Sequence, residues 1–179
     1  MANLHAEIPL VNGDPVIDDG LGFSVDLNLP GSTLVGYRAK PHTGVIDLDL
    51  IGHYDPTDYW EEVHSRDGHI ILDPGAFYIL VSREAVCIPP DYAAEMAPYL
   101  AMVGEFRVHY AGFFDPGFGH DSAGGAGSRG VLEVRCHEAP FVLEHGQVVG
   151  RLVYEKMAEA PTQLYGVSIA SNYQGQGLK

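Results

Sequence analysis

The sequence predicts a single, mainly β domain closed into a barrel or jelly roll, on three observations. Glycine and proline are frequent and spread along the whole chain, 22 and 12 among 179 residues, as in short strands joined by tight turns. Turn tripeptides such as Leu29-Pro30-Gly31, Asp115-Pro116-Gly117 and Glu144-His145-Gly146 separate apolar segments of strand length. One stretch alone reads as helical. Closing many short strands on themselves removes sheet edges, which favours a barrel over an open sheet. The length suits one domain, or at most two very small ones, and no repeat or linker divides it.

Taken in order, Phe23–Leu29 alternates as a strand, and Val45–Leu50 (VIDLDL) alternates more cleanly. A short turn is expected at Pro56–Glu61. His69–Leu72 runs into the turn Asp73-Pro74-Gly75 and then into a strand over Phe77–Ser82. Val86–Ile88 precedes Pro89-Pro90. The helical stretch is Asp91–Met102, opened by a capping Asp and rich in Ala, Met and Leu, with Pro98 ending it early. Strands follow at Arg107–Phe113, Val131–Arg135, Phe141–Leu143 and Gln147–Tyr154. The small, Gly-rich segment His120–Gly127 reads as a mobile surface loop. It has no Lys and no following helix, so it is no phosphate-cradling P-loop.

Composition excludes several classes of function. Ten Lys and Arg against 24 Asp and Glu give a net charge of −14, and the cations are scattered. Nucleic acid and anionic membrane surfaces would be repelled, so neither is expected as a partner. Cys87 and Cys136 are too few for a disulfide framework and read as buried small hydrophobes. The N-terminus lacks the pattern of a signal peptide, and no apolar run approaches a membrane span, so a cytoplasmic location is expected. Nine histidines occur without H-E-x-x-H or C-x-x-C spacing. The signatures of zinc deaminases and zinc proteases are therefore absent, and no metal ligands are assigned. G-x-S-x-G is absent as well. Carboxylates are left as the strong reactive groups.

Four stretches taken together carry a resemblance: LGFSVDLNL at Leu21–Leu29, DPGAFYILVSREAVCIP at Asp73–Pro89, AGFFDPGFG at Ala111–Gly119, and the tail from Tyr165 ending in YQGQG. In order and spacing they resemble the dCTP deaminase branch of the trimeric dUTPase-like superfamily, from Leu21 to the C-terminus. The resemblance implies a dUTPase-like distorted jelly-roll β-barrel with one short helix. Residues 1–20 are then an N-terminal extension, and 21–179 the barrel with a tail that closes over nucleotide. It implies hydrolysis of dCTP to dUTP and ammonia without zinc, with Mg²⁺ carried on the substrate phosphates. Val131-Leu132-Glu133 stands where the family has its catalytic V-L-E, so Glu133 is implied as general base. Asp115 and Ala111 are implied at the base and sugar, with Val131 and Leu132 beside them. Tyr165, Asn172 and Gln176 are implied in the closing tail.

Departures from the family pattern matter equally. The family's S-S-x-x-R-x-G phosphate motif corresponds to Pro98–Gly104, where Pro98 and Met102 replace its Ser and Arg. Asn172 stands where a tail Lys is expected. His120–Gly127 is inserted between the Asp-Pro-Gly corner and Glu133. These features resemble the C-terminal half of a double-length bacterial form, whose partner barrel, or a neighbouring subunit of a trimer, would complete the site. Two other readings stay open. One is dUTP diphosphatase, for which Ser24-Val25-Asp26 loosely fits a first motif; the other is a non-catalytic, structural or nucleotide-sensing half.

Overall fold

Two packed sheets and a two-stranded ribbon organise the protein, for which a computed structural model describes residues 1–98, 106–109, 113–166 and 178. After a short helix α1 (Ala2–Glu7) come β1 (Leu21–Ser24), β2 (Leu34–Ala39), β3 (Trp60–His64), β4 (His69–Leu72) and β5 (Phe77–Val86). They are followed by β6 (Tyr92–Pro98), β7 (Phe106–His109), β8 (Ser128–Cys136), β9 (Phe141–Glu144) and β10 (Val148–Lys156). The strand orders are β3-β2-β5-β8-β7, β1-β10-β6 and β4-β9. Every ladder is antiparallel. Non-sequential neighbours such as β1 and β10 make this a distorted jelly roll, as predicted.

The core forms where the inward faces of the sheets meet. Phe23, Leu80, Leu132 and Leu152, from β1, β5, β8 and β10, are fully buried. Along β8 burial alternates strictly, with Ser128, Gly130, Leu132, Val134 and Cys136 inward, as a two-residue period requires. The N-terminal segment joins this core. Leu10 is fully buried and Val11 nearly so, Val11 bridges Val86, and the Cys87 N–H donates to the Leu10 carbonyl. Cys136 is buried and Cys87 half-buried; burial, with Asp121 nearby, pushes the Cys87 thiol pKa up.

Three local expectations are corrected. The segment read as a helix over Asp91–Met102 is strand β6 as far as Pro98. Its Ala and Met residues favour helix alone, but seven residues pair with β10 and bury Ala94 and Met96 in alternation. Pairing outweighs propensity here, and Pro98 is tolerated because β6 is an edge strand. Val45–Leu50 is no strand but part of the loop between β2 and β3, with Val45 and Leu48 exposed at 93% and 85%. Alternation makes a strand only where a neighbour offers a ladder, and none of the described strands pairs with it. Third, β1 ends at Ser24 rather than Leu29, because a register shift follows Phe23 and Val25 bridges to Ser82 of β5 instead.

Elements without clean alternation were missed. β2 contains Gly36, which breaks the apolar pattern but is required: a Cβ there would lie 2.4 Å from Leu80 Cδ2 and 2.5 Å from the Ile79 carbonyl. β3, with Glu61 and Glu62 exposed, resembles a polar loop in sequence. The expected turn at Pro56–Glu61 is a 3₁₀ turn over Pro56–Asp58, capped by the Asp55 carboxylate, which accepts from the Thr57 N–H and hydroxyl. Those bonds hold the Asp55 pKa below its ordinary value.

The inserted His120–Gly127 segment folds into a 3₁₀ turn over Asp121–Ala123 and closes through a Gly127 N–H to Gly119 carbonyl bond. Gly119 has φ +66°, and a Cβ on it would fall 2.2 Å from the Val86 carbonyl and 2.7 Å from the Ser128 nitrogen. Both obstacles are backbone, so nothing yields cheaply. Gly119→Ala should therefore destabilise the fold by about 2–4 kcal/mol, read as a lower denaturant midpoint. Unchanged stability would mean that the corner relaxes freely.

Candidate active site

The site is built on the outward face of β8. Arg129, Val131, Glu133 and Arg135 stand there, opposite the core-facing residues. Register places Ile79 of β5 on one side of Glu133 and His109 of β7 on the other, with Tyr37 of β2 beyond Ile79. Along the strand, Val131 pairs with Val81, and Arg135 pairs with Phe77. The Arg135 guanidinium lies 4.8 Å from the Phe77 ring centroid, a cation–π contact that holds its charge in place. Glu133 is half-buried, and its side chain forms no hydrogen bond or ion pair among the described residues. A carboxylate beside Val131 and Ile79 with no committed side-chain partner among the described residues is free to take a proton from water.

The Asp-Pro-Gly corner is placed by different contacts. Phe114 bridges Ala94 of β6 and meets Phe23 edge-on at 6.1 Å. Asp115 is exposed, and its carbonyl accepts the Phe118 N–H. Tyr165 reaches this corner: its N–H donates to the Pro116 carbonyl at 3.0 Å, and its ring lies 5.8 Å from that of Phe118. The corner and the start of the tail are thus brought together. No hydrogen bond, ion pair or ring contact among the described residues joins either to Glu133. Leu132 turns into the core, so only its backbone can reach a nucleotide, while Val131 presents its side chain on the Glu133 face. Ala111, Asn172 and Gln176 lie outside the described residues.

Sequence reasoning gave too little weight to a polar cluster at the other end of β8. Asp26 is 4% exposed. Its carboxylate accepts from Arg129 Nη1 and from the Asn28 N–H. Arg129 also donates to the Ser82 carbonyl at 3.3 Å. His145 Nδ1, which accepts the Leu27 N–H, approaches Asp26 Oδ1 to 3.3 Å. Next to this, the Glu84 carboxylate accepts from both the N–H and the hydroxyl of Ser24, at 2.7 and 2.6 Å. The S-x-D sequence of Ser24-Val25-Asp26 was noted, but its pairing with Arg129, 103 residues away, carries no local signal.

A cleft of about 480 Å³ is lined by Asn28, Arg66, Asp67, His69, Glu144 and His145. It contains none of the residues implicated by sequence. Its two carboxylates offset Arg66, so it offers a triphosphate no net positive charge at neutral pH. Among the described residues no group of three or more His, Cys, Asp or Glu is arranged to hold a metal. No helix among them is long and apolar enough to cross a membrane.

Comparison with known proteins gives the family. The family model for the C-terminal domain of 2′-deoxycytidine 5′-triphosphate deaminase matches residues 1–179. The chain is similar to the dUMP-forming dCTP deaminase of Methanothermobacter thermautotrophicus, at 32% identity over 96% of this chain and 85% of that protein. It is 32% identical to the dCTP deaminase of Haloarcula marismortui, over 86% of this chain and 74% of the relative. The crystal structure of 2′-deoxycytidine 5′-triphosphate deaminase from Agrobacterium tumefaciens superposes with a TM-score of 0.80 at 56% identity. That match covers 89% of this chain but 48% of the solved one, so the chain spans about half the length of that relative. With a family model matched from end to end, this chain belongs to the 2′-deoxycytidine 5′-triphosphate deaminase family, in which it corresponds to the C-terminal domain.

Proposed function

We propose that the chain serves the hydrolytic deamination of dCTP to dUTP and ammonia, with Glu133 as the general base. The observation that carries this reading is the half-buried, uncommitted carboxylate of Glu133 beside Val131 and Ile79 on an outward sheet face. Cytosine C4 is a weak electrophile and neutral water a poor nucleophile. A carboxylate in hydrogen-bond reach takes one proton from the attacking water and passes it to ring N3, then delivers the next to the departing amine. One water enters and one ammonia leaves, with no change in oxidation state. Asp115, Ala111, Val131 and the Leu132 backbone hold the base and sugar, while Tyr165, Asn172 and Gln176 close over the nucleotide.

Mg²⁺ enters on the triphosphate, because it prefers phosphate oxygens and water to a protein cage and the described residues offer no such cage. The reaction belongs to cytoplasmic nucleotide metabolism. The site is completed by a second barrel, either the other half of a double-length polypeptide or a neighbouring subunit of a trimer. Two facts support this: the solved relative carries about as much chain again, and no hydrogen bond, ion pair or ring contact among the described residues joins Glu133 to the Asp115–Tyr165 corner. Supplied with dCTP, the chain alone should release ammonia slowly or not at all, and adding the complementary barrel should restore turnover. Full activity of the chain alone would overturn this division of labour.

A second reading is favoured by the names of several relatives. The Methanothermobacter thermautotrophicus protein is named dUMP-forming, and on this reading dUTP is hydrolysed onward to dUMP. Chromatography of the nucleotides formed separates the two, since dUMP with pyrophosphate marks the second hydrolysis. Asp26 is a poor base for that step, because its carboxylate is buried and bonded to Arg129. A non-catalytic half would yield neither product even with its partner barrel.

A further inference from the structure

Strand β10 carries a charge that the rest of the described chain leaves unused. Arg151 stands on its outward face, between buried Gly150 and Leu152. Register sets Gly22 of β1 on one side of it and Ala97 of β6 on the other, so neither flanking residue can pair with a guanidinium. Gly20, at φ +151°, lies against the stem: a Cβ there would sit 3.2 Å from Arg151 Cβ and 3.3 Å from Cδ. With its stem packed in this way, Arg151 Nε is shut off from solvent. It has no hydrogen-bond partner among the described residues, and no other buried side-chain nitrogen or oxygen among them is left so. Asp18 and Asp19 belong to the same turn as Gly20, yet neither pairs with it.

An unsatisfied buried N–H of a charged group is costly, and a chain of net charge −14 has carboxylates in plenty to relieve it. The place is as informative as the missing partner. Ala97, opposite Arg151, is followed directly by Pro98, and Pro98–Gly104 is the stretch that corresponds to the family's phosphate motif. There this chain has Pro98 and Met102 in place of the Ser and Arg. A cation therefore stands on the neighbouring strand where that stretch begins.

We infer that Arg151 grips the triphosphate of the bound nucleotide, supplying the positive charge that Met102 and Asn172 do not. This rests on the dCTP deaminase reading. A guanidinium suits the task because its planar fork can donate two parallel bonds to phosphate oxygens. Packing against Gly20 fixes its stem in advance, so little side-chain entropy is lost on binding.

The test titrates the wild-type protein, R151Q and R151K, each in its native assembly, with dUTP, inorganic tripolyphosphate and deoxyuridine by calorimetry. R151Q should bind dUTP and tripolyphosphate about 10–100-fold more weakly, with deoxyuridine affinity unchanged. R151K should recover part of the loss. In turnover, KM for dCTP should rise far more than kcat falls. A wild-type protein that binds neither dUTP nor tripolyphosphate would overturn the deaminase reading itself. If the wild type binds them and R151Q binds them equally well, the Arg151 inference fails while that reading stands. Equal weakening of all three ligands, or a change confined to the assembly state on size-exclusion chromatography, would assign Arg151 to packing and also overturn the inference.

Discussion

Glu133→Gln should lower kcat for dCTP by about 10²–10⁴-fold while leaving nucleotide affinity within a few-fold of wild type. The substitution keeps shape and volume on a face where Ile79, Val131 and the strand partners of β8 set the space. The fold has no reason to change, since the Glu133 side chain bonds to no described residue and its backbone ladder pairing is untouched. What disappears is the ability to accept a proton from water and to return it. Measured in the complete assembly, the predicted signature is a collapse of ammonia release at unchanged KM. Loss of dUTP binding in parallel would recast Glu133 as a ligand-holding residue. Unchanged turnover would remove it from the mechanism altogether.

Glu133 was singled out by the family resemblance of V-L-E, and what the sequence adds by itself is the face of the strand on which it stands. V-L-E lies in a strand whose alternation is unbroken from Ser128 to Cys136, and a two-residue period assigns each side chain to a face without any knowledge of the tertiary fold. The turn tripeptides were legible for the same reason, because their conformations are set within four residues. Expectations failed where the outcome depends on distant partners. Tyr92–Pro98 is helical by composition and a strand because β10 lies beside it. Val45–Leu50 is a strand by alternation and a loop because nothing described lies beside it.

The same distinction separates the parts of the site. Tyr165 and Asp115 are fifty residues apart, and their meeting through Pro116 and Phe118 follows from a fold that no local pattern specifies. The family resemblance implied a nucleotide role for each, but neither it nor periodicity gave their meeting. Arg151 is the opposite case. Nothing about an Arg in a strand distinguishes it from a solvated surface cation until register shows Gly22 and Ala97 on either side and the buried Nε without a partner.

Asp26→Ala should be among the most destabilising single changes in the chain, at about 2–4 kcal/mol. Breaking a buried ion pair by removing one partner commonly costs about 3–5 kcal/mol, because the other charge is left without compensation. The lower figure applies because the surviving Arg129 side chain is 32% exposed, so water takes over part of its solvation. For a domain of this size the loss corresponds to a fall in Tm of roughly 5–15 °C. Arg129→Met should cost at least as much, since it strands a carboxylate whose residue is only 4% exposed. The double variant decides the cause. If the Asp26–Arg129 bond carries the effect, removing both partners should cost clearly less than the two single losses added, by a coupling of about 1–3 kcal/mol. Strict additivity would instead trace the loss to independent packing at each end, namely the Asn28 N–H held by Asp26 and the Ser82 carbonyl held by Arg129. Coupling of that size would make the buried pair joining the β1 exit to β8 an anchor of the barrel, a structural role for the S-x-D sequence rather than the water-activating role of a diphosphatase.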